Sequence, residues 1–75
     1  MTRLADWLQE TSELLRAAGI GTPVRDARLL AQLGCGLAAS EVLTQPDRPV
    51  LEAEAKRLQA LRHRRLQREP VSRIA

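Results

Sequence analysis

His63 is the only histidine in the chain and Cys35 the only cysteine. A nucleophile needs a base beside it, and a metal needs several ligands brought together at helix or loop spacing. His63 has neither a carboxylate nor a thiol within helical reach and sits among Arg62, Arg64 and Arg65, so it reads as a solvated imidazole. Cys35 lies between Gly34 and Gly36 among small and apolar residues. It reads as a packed, inert thiol, and without a second cysteine it makes no internal disulfide. Two carboxylate pairs, Glu10 with Glu13 and Glu52 with Glu54, fall on faces that the helical pattern turns toward solvent. Gly19-Ile20-Gly21 and Gly34-Cys35-Gly36 resemble pieces of phosphate-binding loops, but no strand pattern precedes either, and helix ends account for both. The residues therefore supply no catalytic set, no metal set and no cofactor loop.

What remains is charge. Residues 1–55 carry five basic and eight acidic side chains, a balance of −3, whereas residues 56–75 carry seven basic and one acidic, a balance of +6. Arg57, Arg62, Arg64, Arg65 and Arg68 are the densest part of that block and the candidate partner-binding residues. Such a block can meet phosphate, an acidic protein surface or an anionic membrane. Salt-dependent phosphate contact needs no more than these arginines. Base readout is poorly supported, because no aromatic alternates with them and no helix-turn-helix spacing precedes them. Nucleic-acid binding is thus the alternative reading. Glutamates at the start of the same segment and arginines at its end also complement a helix dipole, which explains part of the cluster without any ligand.

The elements that position these residues follow from apolar spacing. A first helix is expected over residues 3–18, with Thr2 as its N-cap and Gly19 taking the left-handed turn that ends it. Leu4, Trp7, Leu8, Leu14, Leu15 and Ala18 form its inner face, and Trp7 reads as core. Thr22-Pro23 opens a second helix, whose broad apolar surface (Val24, Ala27, Leu29, Leu30, Ala31, Leu33) places it centrally, with Arg25, Asp26 and Arg28 as its polar edge and Gly34 and Gly36 at its end. A short helix near residues 38–44 would turn Val42 and Leu43 inward. Gln45-Pro46-Asp47-Arg48-Pro49 is a turn. A long basic helix begins near residues 49–51, carries Leu51, Ala55, Leu58 and Leu61 as one stripe, and closes at Glu69-Pro70, with one further turn expected over residues 71–74.

Seventy-five residues make one domain at most, and a chain this size buries only about 60% of its unfolded surface. Phe and Tyr are absent and Trp7 is the sole aromatic, a composition suited to close-packed helices rather than a sheet. The expected fold is all-α, a small bundle of four to five helices. No signal-peptide pattern and no apolar run of spanning length is present, so a cytoplasmic, non-membrane protein is expected. The uncapped ending at Ala75 reads as a cut within a longer chain.

The last segment carries a resemblance. Leu58-x-x-Leu61-x-x-Arg64-Arg65 followed by Arg68-Glu69-Pro70-Val71-Ser72-Arg73-Ile74 is similar to the domain junction of the HemK/PrmC family, methyltransferases that modify the glutamine of peptide chain release factors. Trp7-Leu8 and the stretch from Pro23 to Leu30, PVRDARLL, match the family's earlier motifs in order and spacing, so that the resemblance covers essentially the whole chain. It implies a bundle of about five short helices that helps recognise a class I release factor. An S-adenosylmethionine-binding catalytic domain would then follow beyond residue 75. The family's glycine-rich cofactor loop and Asn-Pro-Pro-Tyr motif would lie in that domain, so no catalytic or cofactor residue carries over to this chain. Asp26 matches a family position and is expected to pair at a buried edge, and Glu69-Pro70 is expected to be the interdomain hinge. A purely structural brace for the catalytic domain is the other alternative.

Overall fold

The computed structural model describes residues 2–69 together with Arg73. Four α-helices run through them: α1 (Leu4–Ala17), α2 (Pro23–Cys35), α3 (Ala39–Thr44) and α4 (Glu52–Leu66). The fold is the small all-α bundle expected from composition.

Thr2 does not cap α1. Arg3 holds the N-cap position in extended conformation without a side-chain cap, and the free N–H groups of the first turn find partners elsewhere. Leu4 N–H donates to the Arg48 carbonyl (2.8 Å) and Ala5 N–H to the Pro46 carbonyl (3.0 Å), while Val50 N–H returns a bond to the Thr2 carbonyl (2.8 Å). The 45–50 loop thus does the work of a cap, because its carbonyls point at orphan donors that otherwise need a side chain or water. That exchange includes an isolated antiparallel bridge between Arg3 and Pro49, and it sets the starts of α1 and α4 side by side.

Both of these helices end in the same motif. After α1, Gly19 at φ 81° is the left-handed residue; its N–H bonds the Arg16 carbonyl and Ile20 N–H bonds the Leu15 carbonyl, with buried Ile20 and Leu15 packed together, as a Schellman turn requires. After α4, the left-handed position belongs to Arg68, at φ 72°. Arg68 N–H bonds the Arg65 carbonyl and Glu69 N–H the Arg64 carbonyl. The helix therefore stops at Leu66, short of the junction anticipated at Glu69-Pro70. Pro70 and, apart from Arg73, the turn expected over residues 71–74 lie outside the described residues.

α2 starts at Pro23 as expected, but the Thr22 hydroxyl donates to Asp26 Oδ1 (3.2 Å) instead of accepting from the backbone. α2 packs against all three other helices, and α1 and α4 touch one another only lightly. Gly34, anticipated as a helix terminator, lies inside α2 and is buried. A Cβ there would overlap the Leu58 side chain, so its role is close approach of α2 and α4; Gly36, in left-handed conformation, ends the helix. Leu4, Trp7, Leu30, Ala31, Val42, Val50 and Leu58 form one core cluster, and Leu15, Ile20 and Ala27 a second nearer the helix ends.

Several expected inner faces are shifted. Leu14, Val24, Leu33, Leu43 and Leu51 are exposed, and Ala55 is exposed as well. On α1 the buried line runs through Leu4, Trp7, Thr11 and Leu15 with Ser12 beside it, the strict i, i+3, i+4 course that leaves Leu14 at its edge. Ser12 is tolerated there because its hydroxyl bonds the Leu8 carbonyl (2.7 Å). On α4 the buried residues are Glu54 and Leu58, so the stripe of that helix is half polar.

Candidate functional site

Each arginine of the basic cluster can be placed from its contacts. Arg57 Nε donates to the Gly34 carbonyl (2.9 Å) at the close crossing with α2. Arg62 reaches α1, where it meets Glu10 Oε1 (3.4 Å) and the Thr11 hydroxyl (3.2 Å) and stands 5.8 Å from the Trp7 ring centroid, within cation–π range. Arg65 grips Asp26 Oδ2 with Nε (3.0 Å) and Nη2 (2.9 Å) and also donates to the Glu69 carbonyl. Arg68 donates to the Ala18 carbonyl at the end of α1. Arg64 pairs with Glu69 (2.8 Å) and keeps 47% of its side chain exposed. The geometry makes four of these five side chains ties from α4 to α1 or α2. The fifth joins the two ends of its own Schellman turn, where an apolar contact is more usual.

The contacts of Arg62 and Arg68 also give helix direction. Arg62 meets Thr11 and Arg68 meets Ala18, so α1 and α4 run parallel, whereas Arg57 with Gly34 and Arg65 with Asp26 place α2 antiparallel to α4. Asp26, 1% exposed, also receives the Thr22 hydroxyl and lies 3.7 Å from Arg25 Nε. A buried carboxylate survives only when its charge and lone pairs are met, and here both oxygens are met. The pairing role expected for Asp26 is observed.

Glu54 corrects the reading of the Glu52 and Glu54 pair as solvated charge. It is buried and held by Arg48 through two bonds, Nη1–Oε1 (2.9 Å) and Nη2–Oε2 (2.6 Å), with Leu51 N–H donating to Oε1 (3.1 Å). The Arg48 hydrogen bonds hold its carboxyl below the usual range, against the opposing effect of burial. The same Glu closes the start of α4 and fixes the 45–50 loop. A Glu three residues after a helix start is the signal available in sequence, and its partner across the loop is not.

Among the described residues no convergent reactive set emerges. Cys35 is half-buried, and burial pushes its thiol up, away from the thiolate that nucleophilic chemistry needs. Among the described residues no group of three His, Cys, Asp or Glu could hold a metal, and no helix is long and apolar enough to cross a membrane. S-adenosylmethionine, which the family resemblance brings in, does not fit the residues present. Its glycine-rich turn would have to come from Gly19–Gly21 or Gly34–Gly36, where Gly19 and Gly36 hold the left-handed positions that end helices and Gly34 the close crossing of α2 and α4.

The family described as PrmC N-terminal domain matches residues 6–75. Three relatives share the name "Release factor glutamine methyltransferase". That of Rhodospirillum rubrum is 52% identical over 60 residues, covering 80% of this chain and 18% of the relative. Those of Agrobacterium fabrum and Caulobacter vibrioides are 40% and 38% identical, each over 80% of this chain and 21% of the relative. The chain thus spans about a fifth of the length of these proteins. No solved structure matches.

Proposed function

Because the chain belongs to the PrmC N-terminal domain family, we propose that it is the substrate-recognition domain of a protein-(glutamine-N5) methyltransferase that acts on class I peptide chain release factors. The observation that carries this reading is the match of residues 6–75 to the PrmC N-terminal domain, together with relatives named "Release factor glutamine methyltransferase" that align over 60 residues and of whose length this chain covers about a fifth. The methyl donor is S-adenosylmethionine, bound by a catalytic domain beyond residue 75. This chain contributes no group to that chemistry; its part is to bind and orient the protein substrate. Its setting is the cytoplasm, where translation terminates.

The network of arginines suggests how the domain does this. Arg62 and Arg65 hold the helices in register and are largely withdrawn from solvent. Docking falls to the solvent-exposed surface of α4, which includes Lys56, Arg57, His63 and Arg64, with Arg68 exposed just past its end. Glu69-Pro70 is assigned as the interdomain hinge from its match to the family junction, and Glu69 is tied to Arg64. The same network argues against the nucleic-acid alternative, since Arg62, Arg64 and Arg65 are already paired with Glu10, Glu69 and Asp26 and so would neutralise fewer phosphates and release fewer of the nucleic acid's counterions.

The test is direct. The 75-residue chain, mixed with a class I release factor and labelled S-adenosylmethionine, should transfer no methyl group, and the same chain should bind the release factor in calorimetry. Methyl transfer by the chain alone, or tighter binding to duplex RNA than to the release factor, would overturn the proposal.

A further inference from the structure

Between the outer faces of α1 and α4 lies an open groove of about 580 Å³ whose lining includes Leu14, Lys56, Ala60, Arg62, His63 and Leu66. It exists because the two parallel helices both lean on α2 and touch each other only lightly. Leu14 is 40% exposed here, a large apolar side chain excluded from the core by the course of the α1 stripe. With Ala60 and Leu66 it makes an apolar floor between two helices. The lining holds two cations, Lys56 and Arg62, with Gln59 and with His63, whose Nε2 meets the Gln67 amide (2.9 Å), and no carboxylate. Arg62 is paired with Glu10 of α1 (3.4 Å), and Lys56, with no ion-pair partner among the described residues, is the free cation of the lining.

From these features we infer that the groove is a docking site for an acidic, amphipathic helical segment of a protein partner, apolar residues seated on Leu14, Ala60 and Leu66 and carboxylates meeting Lys56 at the rim. Lys56 to Leu66 spans about 15 Å of helix axis, room for about three turns of a bound helix. An apolar floor between parallel helices with a charged rim is the geometry in which helix-in-groove recognition works, the floor supplying affinity and the rim orientation. The inference rests on the reading of this chain as a docking domain and adds the chemistry of what docks.

The experiment is an NMR titration of the labelled 75-residue chain with two synthetic amphipathic helices of equal length and identical apolar face, one with Glu and one with Lys on the polar face, and separately with a class I release factor. The Glu helix should saturate and shift a contiguous set of amides around Leu14, Ala60, His63 and Leu66, and the Lys helix should bind at least about tenfold more weakly. Leu14→Glu and Lys56→Glu, both at exposed positions and checked for native helicity, should each weaken the Glu helix by about tenfold or more. Equal binding of the two helices, shifts centred elsewhere, or shifts at the groove caused by a duplex oligonucleotide and not by the Glu helix would overturn the inference. If the release factor binds while leaving these amides unmoved and Leu14→Glu binds it equally well, the groove fails and the functional reading stands. If the Glu helix binds and the release factor does not, the groove stands and the functional reading fails.

Discussion

Asp26→Ala removes the carboxylate on which three side chains converge. The Asp26 side chain is 2% exposed and that of Arg65 is 17% exposed, so the pair is nearly but not wholly withdrawn from water. Removing one member of a fully buried pair costs about 3–5 kcal/mol. Arg65 keeps some water and its bond to the Glu69 carbonyl, which lowers the expectation to about 2–3 kcal/mol. A chain of this length has about 4–11 kcal/mol of total stability, so the loss is a large share of it and corresponds to a fall in Tm of about 10–20 °C. Urea unfolding followed by circular dichroism measures it, and the cycle with Arg65→Ala isolates the pair, with an expected coupling of about 1 kcal/mol or more. Arg64→Ala is the control: its partner Glu69 is 40% exposed, and the change should stay within about 0.5 kcal/mol. An Asp26→Ala loss below about 0.5 kcal/mol, or strict additivity with Arg65→Ala, would refute the assignment of this pair as the tie between α2 and α4.

Three further outcomes rest on the same geometry. The Glu54 carboxyl is held below its ordinary value by Arg48, so its contribution to stability is present above the unfolded carboxylate pKa of about 4.3 and is lost as pH falls through the folded value. Stability measured by urea unfolding from pH 7 to pH 3 should fall less steeply in Glu54→Gln than in the parent. Arg68 occupies a left-handed position in which a side chain costs about 1 kcal/mol relative to glycine. Arg68→Gly should therefore be more stable than Arg68→Ala by about that amount in thermal unfolding, although both lose the bond to Ala18. Gly34→Val forces a branched side chain into the space of Leu58 and should cost about 2 kcal/mol or more by urea unfolding, with part of the loss recovered by Leu58→Ala in the same chain.

The legible parts of the fold are those written in local sequence. Gly19, Thr22-Pro23 and the Pro46–Pro49 turn announce helix boundaries through their own backbone preferences, and the structure places boundaries there. Long-range partners leave no such mark. Arg65 and Asp26 are 39 residues apart, Arg68 and Ala18 are 50 apart, and Arg62 and Thr11 are 51 apart. A run of arginines on one helix therefore looks like a free basic face until the other helices are brought against it. Thr2 fails as a cap for the same reason, since carbonyls of a loop more than 40 residues away reach the α1 donors first. Glu54 looks solvated in sequence because its burial depends on Arg48 folding back across the loop. The groove beside Leu14 is hidden in another way: periodicity counts Leu14 as core, and its exposure emerges only from the stricter line through Thr11 and Leu15.

If, as proposed, this chain recognises the protein substrate and a separate catalytic domain of a longer protein does the chemistry, the two functions should separate kinetically. The most direct test compares release-factor methylation by the longer enzyme with and without residues 1–69. A recognition domain predicts a KM for the release factor raised by about tenfold or more, with kcat and the KM for S-adenosylmethionine little changed. An unchanged KM for the release factor, with loss confined to stability, would contradict it and leave a structural brace.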